Sequence, residues 1–266
     1  LPLTLGLELA GTVEALGPGT SGPAPGTRVA ALPGSGGLAD LAAVAADRLI
    51  PIPDAMPFEV AAGFQIAYGT SHIALVQRAR LARGETLLVL GAAGGVGLTA
   101  VEIGALAGAR VIAVARGAER LKIAQAAGAH HLIDSDAGDL RDKVRALGGA
   151  DVVYDPVGGA SFDTGLRCLK PLGRIIVIGF ASGEVPQIRA HHLLVKNIDV
   201  IGVYFGGYSG FRPDLLADSL TTLIGWHSDG RLHPRISHVL PRDQAQRGLD
   251  LLKNRGATGK VVVALR

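Results

Sequence analysis

The stretch from Thr86 to Ala107, TLLVLGAAGGVGLTAVEIGALA, constrains the fold more than any other part of the chain. Thr86 to Leu90 is a short apolar run suited to a buried strand, and Gly91 to Gly97 form a glycine-rich turn directly after it. From Leu98 onward, Val101, Ile103, Leu106 and Ala107 recur near the helical period, so the pattern predicts strand, glycine turn, helix. A dinucleotide fingerprint needs one glycine for the tight turn, a second for close backbone approach to a diphosphate and a third for helix packing. The register here is Ala92-x-Gly94-x-x-Gly97, with alanine in the first place and Gly91 and Gly95 alongside. Unpaired amides at the helix start make Ala93, Gly94, Gly95 and Val96 candidates for holding a phosphate. In a chain with 38 glycines the spacing also arises by chance, and it is the flanking strand and helix that give it weight.

The rest of the chain supplies the partners this unit needs. From Thr86, strands alternate with helices: Arg110 to Ala115, then Ala118 to Ala126; His131 to Ile133, then Leu140 to Leu147. Val152 to Asp155, Arg174 to Ile178 and Ile198 to Val203 add three more apolar strands, with Phe162 to Leu169 helical between the first two. Strands joined by crossover helices predict a parallel sheet covered on both faces, the doubly wound Rossmann architecture of an α/β protein.

Before this region, Leu5 to Gly19, Gly26 to Ala31, Gly36 to Val44 and Leu49 to Ile52 read as short strands between turns, as in a small β-barrel, and Phe58 to Val76 reads as a helix. After it come the helix Leu215 to Asp229, the strand Ile236 to Leu240, the helix Gln244 to Lys253 and the strand Lys260 to Leu265. The expected organisation is a nucleotide domain over 64–232 inserted into a barrel-like domain made of 1–63 and 233–266, with a cleft between the two as the default site. The chain opens at Leu1 without methionine, in what reads as a strand, which implies that preceding residues are missing.

Composition removes several other classes. A hydrophobic content of 48% with 18% charged residues fits a globular chain with a large core, and no apolar run is long enough for a spanning helix. No charged leader precedes an apolar core, so a cytoplasmic location is expected. The single cysteine, Cys168, excludes an internal disulfide and a multi-thiolate zinc site. The net charge of +3 is dispersed, so no nucleic-acid footprint is evident. His130 and His131, and His191 and His192, are adjacent pairs whose side chains diverge in regular structure, and no metal is expected. No G-x-S-x-G turn argues for hydrolysis.

The chain resembles the zinc-free medium-chain dehydrogenase/reductases, in particular the quinone oxidoreductase group that includes zeta-crystallin. The residues that carry the resemblance are Gly6-x-Glu8-x-x-Gly11, Gly26-x-Arg28-Val29, Ala61-Ala62 ahead of Tyr68-x-Thr70, and Gly84 to Val89. They continue with Ala92 to Gly97, Gly128-Ala129, Asp155-x-Val157-Gly158-Gly159, Gly173-Arg174 and Gly259-Lys260. The resemblance implies a GroES-like barrel, incomplete at its N-terminus, around the Rossmann domain. Leu7 stands where alcohol dehydrogenases of the family carry a metal-binding histidine, and the four-cysteine zinc lobe is absent.

An NAD site places Asp or Glu at the end of the second strand, whereas an NADP site leaves a cation for the 2′-phosphate. Here the second strand ends in Arg116-Gly117, with Glu119 the first acid and Arg120 beside it, so NADPH is the expected cofactor. The competing account is that Arg116 and Arg120 are solvated helix-start residues, with Arg120 paired to Glu119. The resemblance further implies Ser135 near the adenosine phosphate, Gly158, Gly179, Phe180 and Val203 along the nicotinamide half, and Thr70 at the ring. Each of these is also an ordinary turn, strand-end or helix residue.

Hydride transfer to a quinone needs no metal, because the acceptor is already electron-poor. The family implies an NADPH-dependent quinone oxidoreductase, with a 2-alkenal or enoyl reductase as the alternative. A weakly catalytic NADPH-binding regulator, or an RNA-binding or structural protein, is the reading from another class. Tyr68, Tyr204, Phe205, Tyr208 and Phe211 are candidates to line a flat acceptor's cleft, and equally candidates for core packing or a subunit contact. No catalytic acid is assigned, though Tyr68 carries a suitable hydroxyl. A homodimer through the edge strand Ile198 to Tyr204 is expected from the family.

Overall fold

A computed structural model describes residues 2–265. They form two compact units: Thr70–Ser219, and the residues up to Gly69 together with those from Leu220 onward. These bounds lie within two helices, α1 (Phe58–His72) and α8 (Pro213–Ser228). The sequence places the passages at 63/64 and 232/233.

In the unit containing the chain ends, β1 (Leu9–Thr12), β2 (Arg28–Ala31) and β3 (Leu49–Pro51) form an antiparallel sheet in that order. A strand at Leu1 falls outside the described residues, and among those described the first strand starts at Leu9. Gly36 to Val44, expected as a strand, is irregular. Positive φ at Gly34 and Gly36 turns the chain, and its N–H groups at Gly34, Gly36, Gly37 and Leu38 bond back to the carbonyls of Leu7, Thr4, Gly6 and Leu5. β10 (Ile236–Pro241), α9 (Ala245–Lys253) and β11 (Lys260–Ala264) make a parallel β-α-β pair. No closed barrel forms among the described residues. Lys260 spans this unit to bond the buried carboxylate of Glu8, whose other oxygen accepts from the Ile66 N–H at 2.9 Å.

The other unit is the doubly wound sheet. Its elements in chain order are β4 (Thr86–Val89), α2 (Gly95–Leu106), β5 (Arg110–Ala115), α3 (Ala118–Ala126), β6 (His131–Asp134) and α4 (Leu140–Ala146). These are followed by β7 (Ala150–Asp155), α5 (Gly159–Cys168), β8 (Leu169–Val177), α6 (Ala190–Lys196), β9 (Asp199–Gly202) and α7 (Tyr208–Phe211). All six strands are parallel, in the order β6-β5-β4-β7-β8-β9. The strands read as continuous apolar runs because both faces are covered: Leu87, Leu88, Val111, Ile112, Val152, Val153 and Ile175 are wholly buried. α2 lies close against β4 because Gly104 leaves room, a Cβ there falling 2.5 Å from Leu87 Cδ2. α1 was expected to continue to Val76, but from Ile73 to Arg78 it widens into a π-helical segment, with the Ala79 N–H bonded to the Ala74 carbonyl.

Candidate nucleotide-binding site

From β4 the chain crosses to β5 and β6 on one side, then returns to β7, β8 and β9 on the other. The carboxyl ends of β4 and β7 therefore flank a topological switch point, where open α/β sheets bind ligands. The glycine turn sits there. Leu90 N–H bonds the Tyr154 carbonyl of β7 at 3.0 Å, and Ala92 N–H bonds the Val114 carbonyl of β5 at 2.9 Å, so the turn is fixed from both sides. Gly91 has φ +60, and a Cβ on Gly97 would collide with the Gly91 carbonyl, which is why the third position of the fingerprint has to be glycine. Gly94, in extended conformation and exposed, precedes α2, and no side chain caps that helix. The amides of Gly95, Val96 and Gly97 thus have no intrahelical acceptor. Ala93 is buried beside them.

Ser71 joins α1 to this turn. Its hydroxyl lies 3.0 Å from the Val96 carbonyl, 2.8 Å from Thr99 Oγ1 and 2.9 Å from the Tyr154 hydroxyl. Burial raises the Tyr154 phenol well above its ordinary pKa, so it stays a neutral partner of Ser71. Thr70, next to Ser71, is buried. This network has no local signal in the sequence, because Ser71, Thr99 and Tyr154 lie far apart along the chain.

Asp155, 1% exposed at the end of β7, accepts from the N–H groups of Val157 (2.8 Å) and Gly158 (3.1 Å). The turn it shapes meets both neighbours. A Cβ on Gly91 would lie 3.1 Å from Val157 Cγ2, and one on Gly158 would lie 3.0 Å from Phe180 Cδ1. Ala181 and Ser182 N–H groups bond the carbonyls of Pro156 and Val157. Gly158, Gly179 and half-exposed Phe180 are therefore brought together, and the buried Val203 is held by its N–H to the Val177 carbonyl.

Arg116 and Ser135 also meet, with a third residue between them. Asp136 takes an ion pair from Arg116 at 3.2 Å and a hydrogen bond from the Ser135 hydroxyl at 3.3 Å. The acid missing from the end of the second strand thus comes from beyond the third, a proximity visible only once β5 and β6 pair. Glu119, the acid considered in sequence, accepts from Lys122 at 2.8 Å, while Arg120 opens the same helix.

Tyr204 and Phe211 flank Gly207, Tyr208 packs on Phe211 at 4.7 Å between ring centroids and Phe205 is buried, whereas Tyr68 is buried and stacked on Phe64 at 4.5 Å between ring centroids. The rings of His191 and His192, on the short helix α6, meet edge to face at 4.3 Å instead of diverging. His130 Nδ1 accepts from the Val111 N–H. Among the described residues no three His, Cys, Asp or Glu side chains cluster as metal ligands. Burial pushes the Cys168 thiol up to about 11, leaving it unreactive.

A doubly wound sheet with a bare glycine turn at its switch point defines a dinucleotide-binding dehydrogenase fold. Residues 95–219 match the zinc-binding dehydrogenase family and residues 1–54 the alcohol dehydrogenase GroES-like domain. The quinone oxidoreductase-like protein 2 homolog of Nematostella vectensis is 38% identical over 99% of this chain and 73% of its own length. The Escherichia coli quinone oxidoreductase solved in complex with NADPH superposes with a TM-score of 0.91 at 27% identity, covering 100% of this chain and 83% of that one. The CurK enoyl reductase superposes with a TM-score of 0.88 at 26% identity, covering 99% and 80%. The chain belongs to the quinone oxidoreductase group of the medium-chain dehydrogenase/reductase family and is an oxidoreductase by that membership.

Proposed function

We propose that the chain is an NADPH-dependent reductase acting on a quinone, with residues 64–232 as its NADP-binding domain and 1–63 with 233–266 as its catalytic domain. The observation that carries this is the uncapped start of α2 behind Ala92-x-Gly94-x-x-Gly97 at the switch point. Its exposed Gly94 and the space kept free of side chains fit a diphosphate, and the E. coli relative's complex with NADPH supports the choice of nucleotide. Bound NADPH would supply a hydride. Ala93, Gly94, Gly95 and Val96 would hold the diphosphate, Arg116, Arg120 and Ser135 the adenosine half, and Thr70, Gly158, Gly179, Phe180 and Val203 the nicotinamide half. The protein's contribution is to orient the ring and exclude water, with the acceptor's oxyanion protonated from solvent or a hydroxyl such as Tyr68. No metal takes part.

The likeness to an enoyl reductase favours one alternative acceptor, an activated enone or 2-alkenal. A homodimer through the edge strand β9, beside which Leu194, Val195 and Tyr204 are exposed, and a cytoplasmic location belong to the same proposal. No helix among the described residues is long and apolar enough to cross a membrane.

Following NADPH oxidation by the purified protein with quinones and alkenals tests the proposal. Turnover on quinones supports it, faster turnover on enones transfers it to the alternative, and binding without oxidation of NADPH by any acceptor removes the enzymatic reading.

A further inference from the structure

The two acids that follow β6 have different tasks. Asp134 is committed to backbone, accepting from the Asp136 N–H at 3.0 Å and the Gly117 N–H at 3.2 Å, and these bonds hold its carboxyl below the usual range. Asp136 is not committed in this way. Among the described residues its carboxylate meets side chains: Arg116 Nε at 3.3 Å to Oδ1 and 3.2 Å to Oδ2, and the Ser135 hydroxyl. The side chains of Arg116 and Asp136 are 58% and 61% exposed, so a solute can reach either.

Ribose recognition in this fold uses an acid for the hydroxyls or a cation for a 2′-phosphate. Here both stand on adjacent strand ends, set side by side by the pairing of Ala115 with Asp134, and each is the other's partner. We propose that Asp136 sets the cofactor discrimination of the pocket. It is the counter-ion that a 2′-phosphate must displace from Arg116, and without that phosphate it is an acceptor for the ribose hydroxyls, so the chain takes NADH as well as NADPH. This rests on the assignment of Arg116 to the adenosine half made above. An exposed ion pair is weak, so a dianionic phosphate displaces it. The displaced carboxylate remains close by and repels the phosphate over a distance that salt screens only partly.

Calorimetric titration of the full chain with 2′,5′-ADP and 5′-AMP, adenosine probes with and without the 2′-phosphate, tests this. The chain should prefer 2′,5′-ADP by less than roughly tenfold, and Asp136→Asn should widen the preference about three- to tenfold, chiefly by tighter 2′,5′-ADP binding. Arg116→Ala should bring the ratio to about one. If Asp136→Asn leaves the ratio unchanged while Arg116→Ala collapses it, the role of Asp136 is overturned and the Arg116 assignment stands. If neither substitution moves the ratio, or neither probe binds, both are overturned. Both residues are exposed, so matching thermal melts are expected of the variants.

Discussion

The two ends of the six-stranded sheet are built on opposite plans. At the amino ends, side chains tie the strands together. Arg174 grips both oxygens of Glu85 at 2.7 Å and donates to the carbonyls of Ala79 and Arg80, Lys170 pairs with Asp151 at 2.8 Å, and Asp151 accepts from the Thr86 N–H. At the carboxyl ends of β4 and β7 the glycine turn is tied to both neighbouring strands by backbone bonds, the side chains of Asp155 and Ser71 bond inward to shape it, and α2 begins uncapped. The charged pair beyond the carboxyl ends of β5 and β6, Arg116 with Asp136, is exposed, whereas Arg174 and Glu85 are mostly buried. One end is closed by mostly buried ion pairs, and the other keeps an uncapped helix start and an exposed ion pair.

The largest expected effect comes from placing a side chain at the bare end. Gly97→Val drives a branched side chain into the Gly91 carbonyl, so the turn has to move. The variant should lose about 1–3 kcal/mol of stability to overpacking. Its Kd for NADPH should rise on the order of a hundredfold, about 2.7 kcal/mol of binding. Gly84→Ala is the control at the amino end. Gly84 has φ +84 and open space around it, so the change should lower stability by roughly 1 kcal/mol and leave the NADPH Kd alone. Equal losses of binding from both would erase the distinction between the ends.

The converse substitution is Arg174→Met. It strands the half-buried Glu85 carboxylate and leaves the Ala79 and Arg80 carbonyls without this donor, for a loss of roughly 3 kcal/mol in denaturant unfolding with nucleotide affinity retained. The pH dependence has a definite sign. The hydrogen bond from Arg174 lowers the Glu85 pKa in the folded state, against the effect of burial, so this stabilisation is complete above the ordinary glutamate value of 4.5. It is lost as pH falls through the lower folded value. In Arg174→Met that part of the acid slope should disappear, and an unaltered slope would mean the clamp contributes little.

The same contrast explains what was legible in the sequence. The doubly wound sheet was readable because its order comes from local period: α3 falls on the predicted Ala118 to Ala126, and β4, β5 and β7 lie where apolar runs meet glycine turns. Gly36 to Val44 reads as a strand but is irregular, because the N–H groups of Gly36, Gly37 and Leu38 bond to carbonyls of residues 4–6 and not to a neighbouring strand. The widening of α1 at Ile73 has no local signal, since the sequence remains helix-forming throughout. At the candidate site the glycines were visible, but Asp136 and Ser71 were not. Each acts through a partner 20 or more residues away, and reading outward from the second strand finds only Glu119. Spacing along the chain shows what a turn can hold, while strand pairing decides which side chains surround it.

The smallest expected effect probes whether the carboxyl end relies on charge at all. Burial raises the pKa of Asp155, while the Gly158 and Val157 N–H groups oppose it. A carboxyl whose folded pKa is raised contributes stability below its unfolded value of 3.8 and loses it as pH rises through the folded value, so at neutral pH the charge is a net burden. Asparagine keeps an oxygen where Oδ1 now accepts from both Val157 and Gly158, and it removes the buried charge, although its amide then faces the Gly158 N–H across the 3.2 Å now spanned to Oδ2. These changes oppose each other, so Asp155→Asn should stay within about 1 kcal/mol of the parent at pH 7, whereas Asp155→Ala, which strands both N–H groups, should lose about 2 kcal/mol. NADPH affinity in the asparagine variant should change by less than about threefold, since the turn is retained by hydrogen-bond geometry. A loss of binding in Asp155→Asn as deep as that in Gly97→Val would show that the buried charge itself, and not the backbone it shapes, prepares this end of the sheet for its ligand.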